Sequence, residues 1–272
     1  MKKKVRRVLY ISQEISPYLP ETELSLIARQ LPEDIQQFGW ETRIFMPKYG
    51  SVNERRNQLH EVIRLSGMNL IIDDTDHPLI LKVASIQAAR MQIYFIDNDE
   101  FFHRKSIACD EDGKEFRDND ERAIFFARSV METVKKLRWT PDIIHCHGWI
   151  SSLIPIYVKK AYNDDPFFKH SKVIWSLLND DFQQPFRKEF AKKMKTGGMR
   201  EKDIAPYKGK ELDYLALSKL AIDFSDGISQ ITENANQQLI DYVEDTEKPF
   251  LHFKGKENYI THFAEFYDNL MQ

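Results

Sequence analysis

Two histidines separated by one residue follow an apolar run, in the stretch Ile143-Ile144-His145-Cys146-His147-Gly148-Trp149. Histidine nitrogens and cysteine thiolates are zinc ligands, so a metal site is one interpretation of this spacing. Because side chains alternate between the two faces of a strand, His145 and His147 share a face while Cys146 points away. The sequence supplies no third ligand nearby. We therefore favour a hydrogen-bonded structural pair and predict no metal site.

The remaining reactive groups give little support for other chemistry. Cys146 is interpreted as a buried apolar residue, because no partner that would activate its thiol is apparent. The sequence contains no Walker loop, no G-x-S-x-G and no G-x-G-x-x-G, so kinase, hydrolase and dehydrogenase activities have no support and no cofactor is predicted. The two cysteines, Cys109 and Cys146, suggest no disulfide framework and favour a reducing cytoplasm.

The turn after the first apolar run has the sequence Pro20-Glu21-Thr22-Glu23-Leu24. A phosphate-binding turn needs glycine, which lets backbone N–H groups approach the phosphate, and gains from a lysine charge. Glu23 would instead bring a carboxylate, and two like charges about 4 Å apart repel by roughly 4 kcal/mol at an effective dielectric near 20. The simpler interpretation is a turn with Thr22 as N-cap of the next helix. The two interpretations are compatible.

Apolar, strand-like runs alternate with helical patterns along the chain. This alternation predicts an α/β fold with a Rossmann-like, mostly parallel sheet and helices on both faces. Short strands within 61–96 predict an antiparallel excursion from that sheet. We predict a single domain over 1–272. The predicted strands of the main sheet include 5–12, 42–46 and 172–178, and the predicted helices include 22–38, 118–137, 211–224 and 258–270.

The composition is that of an ordinary globular protein. With 272 residues, 42% of them hydrophobic, the chain can bury a sizeable core. The formal net charge of −3 gives no general attraction to nucleic acid, and the basic start at 1–7 is interpreted as a solvated terminus. No segment approaches the roughly 20 apolar residues that span a bilayer, so we predict neither membrane nor nucleic acid as partner.

Three segments of the chain resemble the bacterial glycogen and starch synthases, a family of ADP-glucose glucosyltransferases. Residues 8–18 resemble the opening strand and loop of that family, and Pro47-Lys48-Tyr49-Gly50 matches the tetrapeptide after its second strand. Residues 141–149 resemble its Pro-Asp-Ile-Val-His-x-His-Asp-Trp. The resemblance covers nearly the whole chain and only the first of the family's two domains. It implies the N-terminal half of a GT-B glycosyltransferase with a place in glycogen biosynthesis.

The chain departs from the family where the family binds its sugar nucleotide. The family's loop reads Lys-Thr-Gly-Gly-Leu, an aspartate stands at the position of Gly148, and a histidine contacts the donor at the position of Leu178. The resemblance thus implies no catalytic residue here. The degenerate positions are Pro20, Thr22, Glu23, Gly148 and Leu178. The retained positions, which the resemblance implies as contacts for glucan or other substrate, are Tyr18, Tyr49, His145, His147, Trp149 and Asn179.

Three functions remain open on this basis. The first is a pseudoenzyme in glycogen metabolism that binds an α-glucan or maltooligosaccharide, or regulates a partner. The second is half of a split glucosyltransferase that a separate chain completes. The third is a protein-interaction module that keeps only the fold. A partner chain or a second copy would dock on the face that the family's C-terminal domain covers. Exposed aromatic rings beside Tyr18 and Trp149 would favour a glucan, and buried rings there would favour the module that keeps only the fold.

Overall fold

The computed structural model describes residues 5–255 and 257–272, so the basic start at 1–7 is described only from Val5 onward. The strands are β1 Arg6–Ser12, β2 Trp40–Pro47, β3 His60–Glu61, β4 Met68–Ile72, β5 Thr75–Ile86, β6 Met91–Asp97, β7 Ile143–His147, β8 Lys172–Leu177, β9 Gly227–Gln230 and β10 Phe250–Leu251. The α-helices are α1 Glu23–Ile35, α2 Asp99–Phe102, α3 Asn119–Lys136, α4 Ile154–Ile156, α5 Phe190–Met194, α6 Glu201–Ile204, α7 Tyr214–Asp223, α8 Gln237–Glu244 and α9 Tyr259–Leu270.

The strands form one sheet in the order β10-β9-β8-β7-β1-β2-β6-β5-β3, with β4 paired to β5. Neighbouring strands from β10 to β6 are parallel, and the central strands β1 and β7 are almost wholly buried. Near-continuous apolar strands are expected where helices cover both faces of a parallel sheet. The predicted α/β fold with a mostly parallel sheet is confirmed.

The antiparallel part of the sheet is shorter than the predicted excursion at 61–96. Strands β3 and β4 both pair antiparallel with β5, which in turn pairs antiparallel with β6. Strand β6 then runs parallel to β2, so its residues belong to the main sheet. Asp73 and Asp74, with φ of 45° and 66°, make the tight turn between β4 and β5. Aspartate tolerates this left-handed conformation better than most residues.

The first helix begins and ends as its sequence predicts. The hydroxyl of Thr22 accepts a hydrogen bond from the Ser25 N–H at 3.0 Å, and the Ser25 hydroxyl accepts one from the Thr22 N–H at 2.8 Å. This reciprocal capping satisfies donors that a helix start leaves free. After α1 a short 3-10 turn ends at Gly39, whose φ of 79° suits glycine.

Helices cover the two faces of the sheet differently. The predicted helix at 258–270 is observed as α9, which packs on the face that carries Tyr10, Trp40 and His145. Helix α1 lies beside α9. Helix α3 covers the other face, where its last turn approaches Arg43 and Tyr94. None of the helices within 5–255 and 257–272 is long and apolar enough to cross a membrane.

Candidate functional site at the carboxyl edge of the sheet

The carboxyl ends of β1, β7 and β8 bring the sequence-predicted residues to one edge of the sheet. Strand β1 leads into the turn at 20–24, β7 ends at His147, and β8 is followed by Leu178 and Asn179. This edge is where open α/β sheets bind their ligands. The topology therefore assembles the site positions, and their side chains decide what the edge can bind.

Gly148 occupies a backbone conformation that only glycine adopts readily, with φ 84° and ψ 153°. A Cβ atom at this position would lie 2.6 Å from the Cβ and 2.9 Å from the Oε1 of Gln13. Both distances are far below van der Waals contact. The side chain of Gln13 thus fills the space that an aspartate at position 148 would need.

The turn at 20–23 uses its own groups to cap α1. The Thr22 hydroxyl donates to the carboxylate of Glu14, which is buried behind the turn. Burial raises the pKa of Glu14, and the hydrogen bond from Thr22 lowers it in part. Pro20, Glu21 and Glu23 are exposed. The turn therefore presents two carboxylates, and neither glycine nor lysine, toward the solvent at this edge.

A half-buried carboxylate, that of Asp180, lies at the start of the turn after β7. Asp180 accepts the Trp149 N–H at 2.7 Å and the Tyr214 hydroxyl at 2.6 Å. Burial raises the pKa of Asp180 to about 6, although these two hydrogen bonds oppose the shift. Leu178, two residues earlier on the chain, is only 3% exposed. The chain itself thus supplies the acceptor for this N–H group, which a ligand anion would otherwise take.

His145 and His147 share a face, as predicted, with ring centroids 4.3 Å apart. The Nδ1 of His145 lies 2.7 Å from the Tyr267 hydroxyl, and its Nε2 lies 2.8 Å from the Ser176 hydroxyl. Neither ring nitrogen of His147 has a hydrogen-bond partner among the described residues. Burial lowers the pKa of both histidines, that of His147 to about 3. Only His145 is therefore hydrogen-bonded, and it ties α9 to the sheet.

Cys146 is fully buried, and burial raises the pKa of its thiol well above the usual range. A thiol in that state is neither a nucleophile nor a ready metal ligand. A search of the described residues finds no group of three or more His, Cys, Asp or Glu side chains that could hold a metal ion. Both observations agree with the interpretation of Cys146 as a core residue.

The retained aromatic residues pack in the core. Tyr18 lies edge-on to Phe95, and its exposure is 6%. Tyr49 and Trp149 are 0% and 3% exposed. With His145 and His147 they offer no surface to a glucan in this arrangement, and Asn179 is the exposed member of the predicted set. Their role as glucan contacts stays a prediction.

A groove of about 710 Å³ opens beside the changed turn. The turn and α1 form one wall, and residues 251–255 with the start of α9 form the other. The aromatic side chains of His252, Phe253 and Tyr259 line it. The pattern-based analysis missed these residues, although the run Phe250-Leu251-His252-Phe253 is an apolar and aromatic signal that could have indicated them.

Comparison with known proteins shows the family to which this chain belongs. The model of the starch synthase catalytic domain family matches residues 7–246. The chain belongs to this family. The resemblance drawn from the three sequence segments is thereby confirmed, and the family match extends over the whole parallel sheet up to β9 and over α8.

Glycogen synthases of green bacteria are among the similar proteins. The glycogen synthase of Chlorobium luteolum is 38% identical over 180 residues, which are 66% of this chain and 37% of that protein. The glycogen synthase of Chlorobaculum tepidum is 34% identical over 240 residues, covering 88% of this chain and 48% of that protein. The chain thus spans about half, or less, of the length of these relatives.

A solved structure shares the fold. The catalytic domain of starch synthase IV from Arabidopsis thaliana, bound to ADP and acarbose, superposes with a TM-score of 0.69 at 17% identity. The match covers 91% of this chain and 51% of the plant chain. The predicted likeness to half of a GT-B glycosyltransferase is confirmed at the level of the fold.

Proposed function

We propose that this chain is a non-catalytic, cytoplasmic member of its family that binds α-glucan or regulates a partner in glycogen metabolism. One observation carries the proposal: the chain's own side chains occupy the positions where the family resemblance places the sugar nucleotide. Gln13 fills the space beside Gly148, and Thr22 caps α1. The unpaired thiols of Cys109 and Cys146 support the cytoplasmic location.

Electrostatics argues in the same direction. Glycosyl transfer from a nucleotide sugar needs fixed positive groups around the leaving diphosphate, and loss of one such group typically costs about 10² to 10³ in rate. This edge instead carries the carboxyl groups of Glu14, Glu21, Glu23 and Asp180. We therefore expect these 272 residues to bind ADP-glucose weakly or not at all, and to transfer no glucose by themselves.

The groove beside the turn is the proposed glucan site. Small-molecule sites are mostly apolar, with a few polar groups that fix orientation. Phe253 and Tyr259 provide apolar ring surface, and Gln30 provides an amide for sugar hydroxyls. The volume of about 710 Å³ is within the range of roughly 300–1,000 Å³ for ligand sites.

Titration of the purified chain with maltoheptaose, by calorimetry, tests this assignment. Replacing His252 and Phe253 with alanine should weaken binding about fivefold or more, because the double variant loses two of the rings of one wall. His170→Ala, at an exposed site outside the groove, is the control and should bind as the parent does. Absence of glucan binding, together with no association with any glucan enzyme, would refute the proposal.

A split glucosyltransferase is the second candidate. One observation favours it: Leu26, 46% exposed, borders the open groove. In that case ADP-glucose would be turned over only after a chain that carries a second domain is added. Tight binding of such a chain, or dimerisation, without turnover would instead indicate a protein-interaction module.

A further inference from the structure

A second groove, of about 740 Å³, lies on the face of the sheet opposite α9. Its walls include Arg43 of β2, Gln92 and Tyr94 of β6, and residues 136–138 at the end of α3. These residues lie toward the amino ends of the parallel strands, whereas the site described above lies beyond their carboxyl ends. The groove is therefore a separate site, and the inference drawn from it does not rest on the proposed function.

Positive charge dominates this groove. No carboxylate from residues 5–255 or 257–272 lines it, and none of its cationic side chains forms an ion pair with a described Asp or Glu. The cationic side chains are Arg43, Arg64, Lys136 and Arg138. The whole chain has a formal net charge of −3, so the positive charge of this groove is opposite in sign to the net charge of the chain. A cleft lined by one sign of charge raises the local concentration of ions of opposite sign.

Arg43 is the most deeply placed of these cations. Its guanidinium lies over the rings of Trp139 and Tyr94, 5.0 and 5.7 Å from their centroids. Its Nη1 atom is buried and has no hydrogen-bond partner among the described residues. A buried N–H group that lacks an acceptor is costly, and the cost is larger when the group is charged.

Glu41 does not neutralise Arg43, although it lies two residues earlier on the same face of β2. One carboxylate oxygen accepts from the Trp139 indole at 2.7 Å, and the other accepts from the Nε of Arg7 at 3.0 Å. Both oxygens of Glu41 are thus engaged by other donors. The charge of Arg43 remains available to a ligand in the groove.

The register of the sheet explains why the polar groups converge. Phe45 pairs with Tyr94 across β2 and β6, and their rings stack with centroids 4.9 Å apart. Arg43 and Gln92 lie two residues earlier on the same face of their strands. The Tyr94 hydroxyl donates to the side-chain oxygen Oε1 of Gln92 at 3.1 Å. The side-chain N–H groups of Gln92 remain as donors.

We propose that this groove binds a small molecule that carries two or more phosphate-type negative charges. Arginine offers a planar fork of donors that matches phosphate oxygens, and lysine adds a compact charge. The volume of about 740 Å³ accommodates a small ligand. A phosphorylated sugar and a short inorganic polyphosphate share this chemistry. The Gln92 amide, which can bind sugar hydroxyls, favours the phosphorylated sugar.

Calorimetric titration of the whole chain tests the proposal at low salt in a phosphate-free buffer. The probes are pyrophosphate and a hexose bisphosphate. The test variant is Arg64→Gln/Lys136→Gln, which removes two exposed cations at the groove mouth. The matched control is Lys188→Gln/Lys202→Gln, which removes the same charge from exposed sites outside the groove. Thermal midpoints without ligand confirm that both variants are folded.

We expect both probes to bind the parent chain, with affinity that falls as salt rises. The groove variant should bind at least about tenfold more weakly, and the control should stay within about twofold of the parent. Tighter binding of the hexose bisphosphate identifies a phosphorylated sugar, and tighter binding of pyrophosphate identifies an inorganic polyphosphate. Equal losses in the two variants, or no binding of either probe, would overturn the proposal. The proposal would also be overturned if a short DNA strand bound more tightly than both probes and displaced pyrophosphate.

Discussion

The two ends of the parallel strands differ in the charged side chains that they carry. At the carboxyl edge the exposed turn carries Glu21 and Glu23, and Asp180 takes up the free backbone N–H of Trp149. At the amino edge the groove beside Arg43 is open, and its cations are unpaired among the described residues. The family fold is thus preserved, while at the carboxyl edge the chain's own side chains fill the space beside Gly148 and accept the Trp149 N–H. The chain therefore resembles its family in fold, while its residues at the carboxyl edge differ from those that the family resemblance implies.

Closure at Gly148 is the feature whose disruption should have the largest effect. Gly148→Asp restores the residue type that the family resemblance implies, but it forces a Cβ into a glycine-only conformation and against Gln13. Strain and overpacking of this kind cost about 1–3 kcal/mol each. We expect the free energy of unfolding to fall by about 3 kcal/mol or more, measured by urea denaturation.

Gly148→Ala, which adds only the Cβ, and Gly113→Ala are a matched pair of variants that isolates the contact with Gln13. Gly113 also has a positive φ, 78°, but a Cβ there would meet no heavy atom within 4 Å. Its substitution should cost only about 1–2 kcal/mol, from the backbone conformation alone. If Gly148→Ala destabilised the chain no more than Gly113→Ala, the space beside Gly148 would not be closed by Gln13, and the comparison of the two edges would lose its main support.

The histidine pair provides an internal comparison within the closed edge. His145→Phe removes hydrogen bonds to Tyr267 and Ser176, so it should lower the free energy of unfolding by about 1–3 kcal/mol. The same change at the equally buried His147 removes no hydrogen bond that the described residues make. We expect a cost at least about 1 kcal/mol smaller there, again by urea denaturation. Equal costs would mean that packing, rather than hydrogen bonding, holds α9 on the sheet.

Acid should destabilise the closed edge. In the folded chain the two buried histidines stay neutral well below pH 6.5, while in the unfolded chain each gains a proton near that pH. The unfolded state therefore binds more protons as the pH falls. Each histidine then removes up to about 1.4 kcal/mol of stability per pH unit, for His147 between about 6.5 and about 3.

Asp180 acts in the opposite direction. Its folded pKa of about 6 is above the usual 3.8, so between these values the folded state takes up the proton first. We expect a net loss of about 2 kcal/mol between pH 6.5 and 5, measured as the shift in urea midpoint. His147→Phe should remove most of this loss, because each histidine alone contributes about 1.6 kcal/mol over this range and Asp180 offsets about 1.2 kcal/mol. A parent chain whose stability did not change over this range would contradict the buried, neutral state of the pair.

Loss of the Thr22 cap should have the smallest effect. Thr22→Ala removes the acceptor for the Ser25 N–H and the donor to Glu14, and it should cost about 1 kcal/mol in thermal or urea unfolding. Thr22→Ser keeps the hydroxyl and should cost much less. Equal costs for the two variants would show that the turn is not held by this cap.

The sequence predicted the frame of the molecule better than its surfaces. Apolar periodicity gave the parallel sheet and the start of α1, because burial and capping are local properties of the chain. The family resemblance, rather than periodicity, implied the departures at Gly148 and Glu23. Periodicity did not predict the burial of Tyr18 and Trp149, since an aromatic residue after a strand can face either core or solvent.

The two grooves could not be predicted because each joins residues that are distant in the chain. The groove at the carboxyl edge brings the turn at 20–23 against residues 251–255 and α9. The basic groove joins Arg43 to Arg64 and Arg138 through strand register and helix packing. No alternation or spacing along the sequence reports such contacts.

A calorimetric titration of the purified chain with ADP-glucose tests the central claim most directly, with maltoheptaose added afterwards to the same cell. The account predicts no heat of binding from ADP-glucose and saturable binding of the glucan. Stoichiometric binding of ADP-glucose would contradict it, because the acidic turn at 20–23 and the closure beside Gly148 would then not exclude the nucleotide sugar.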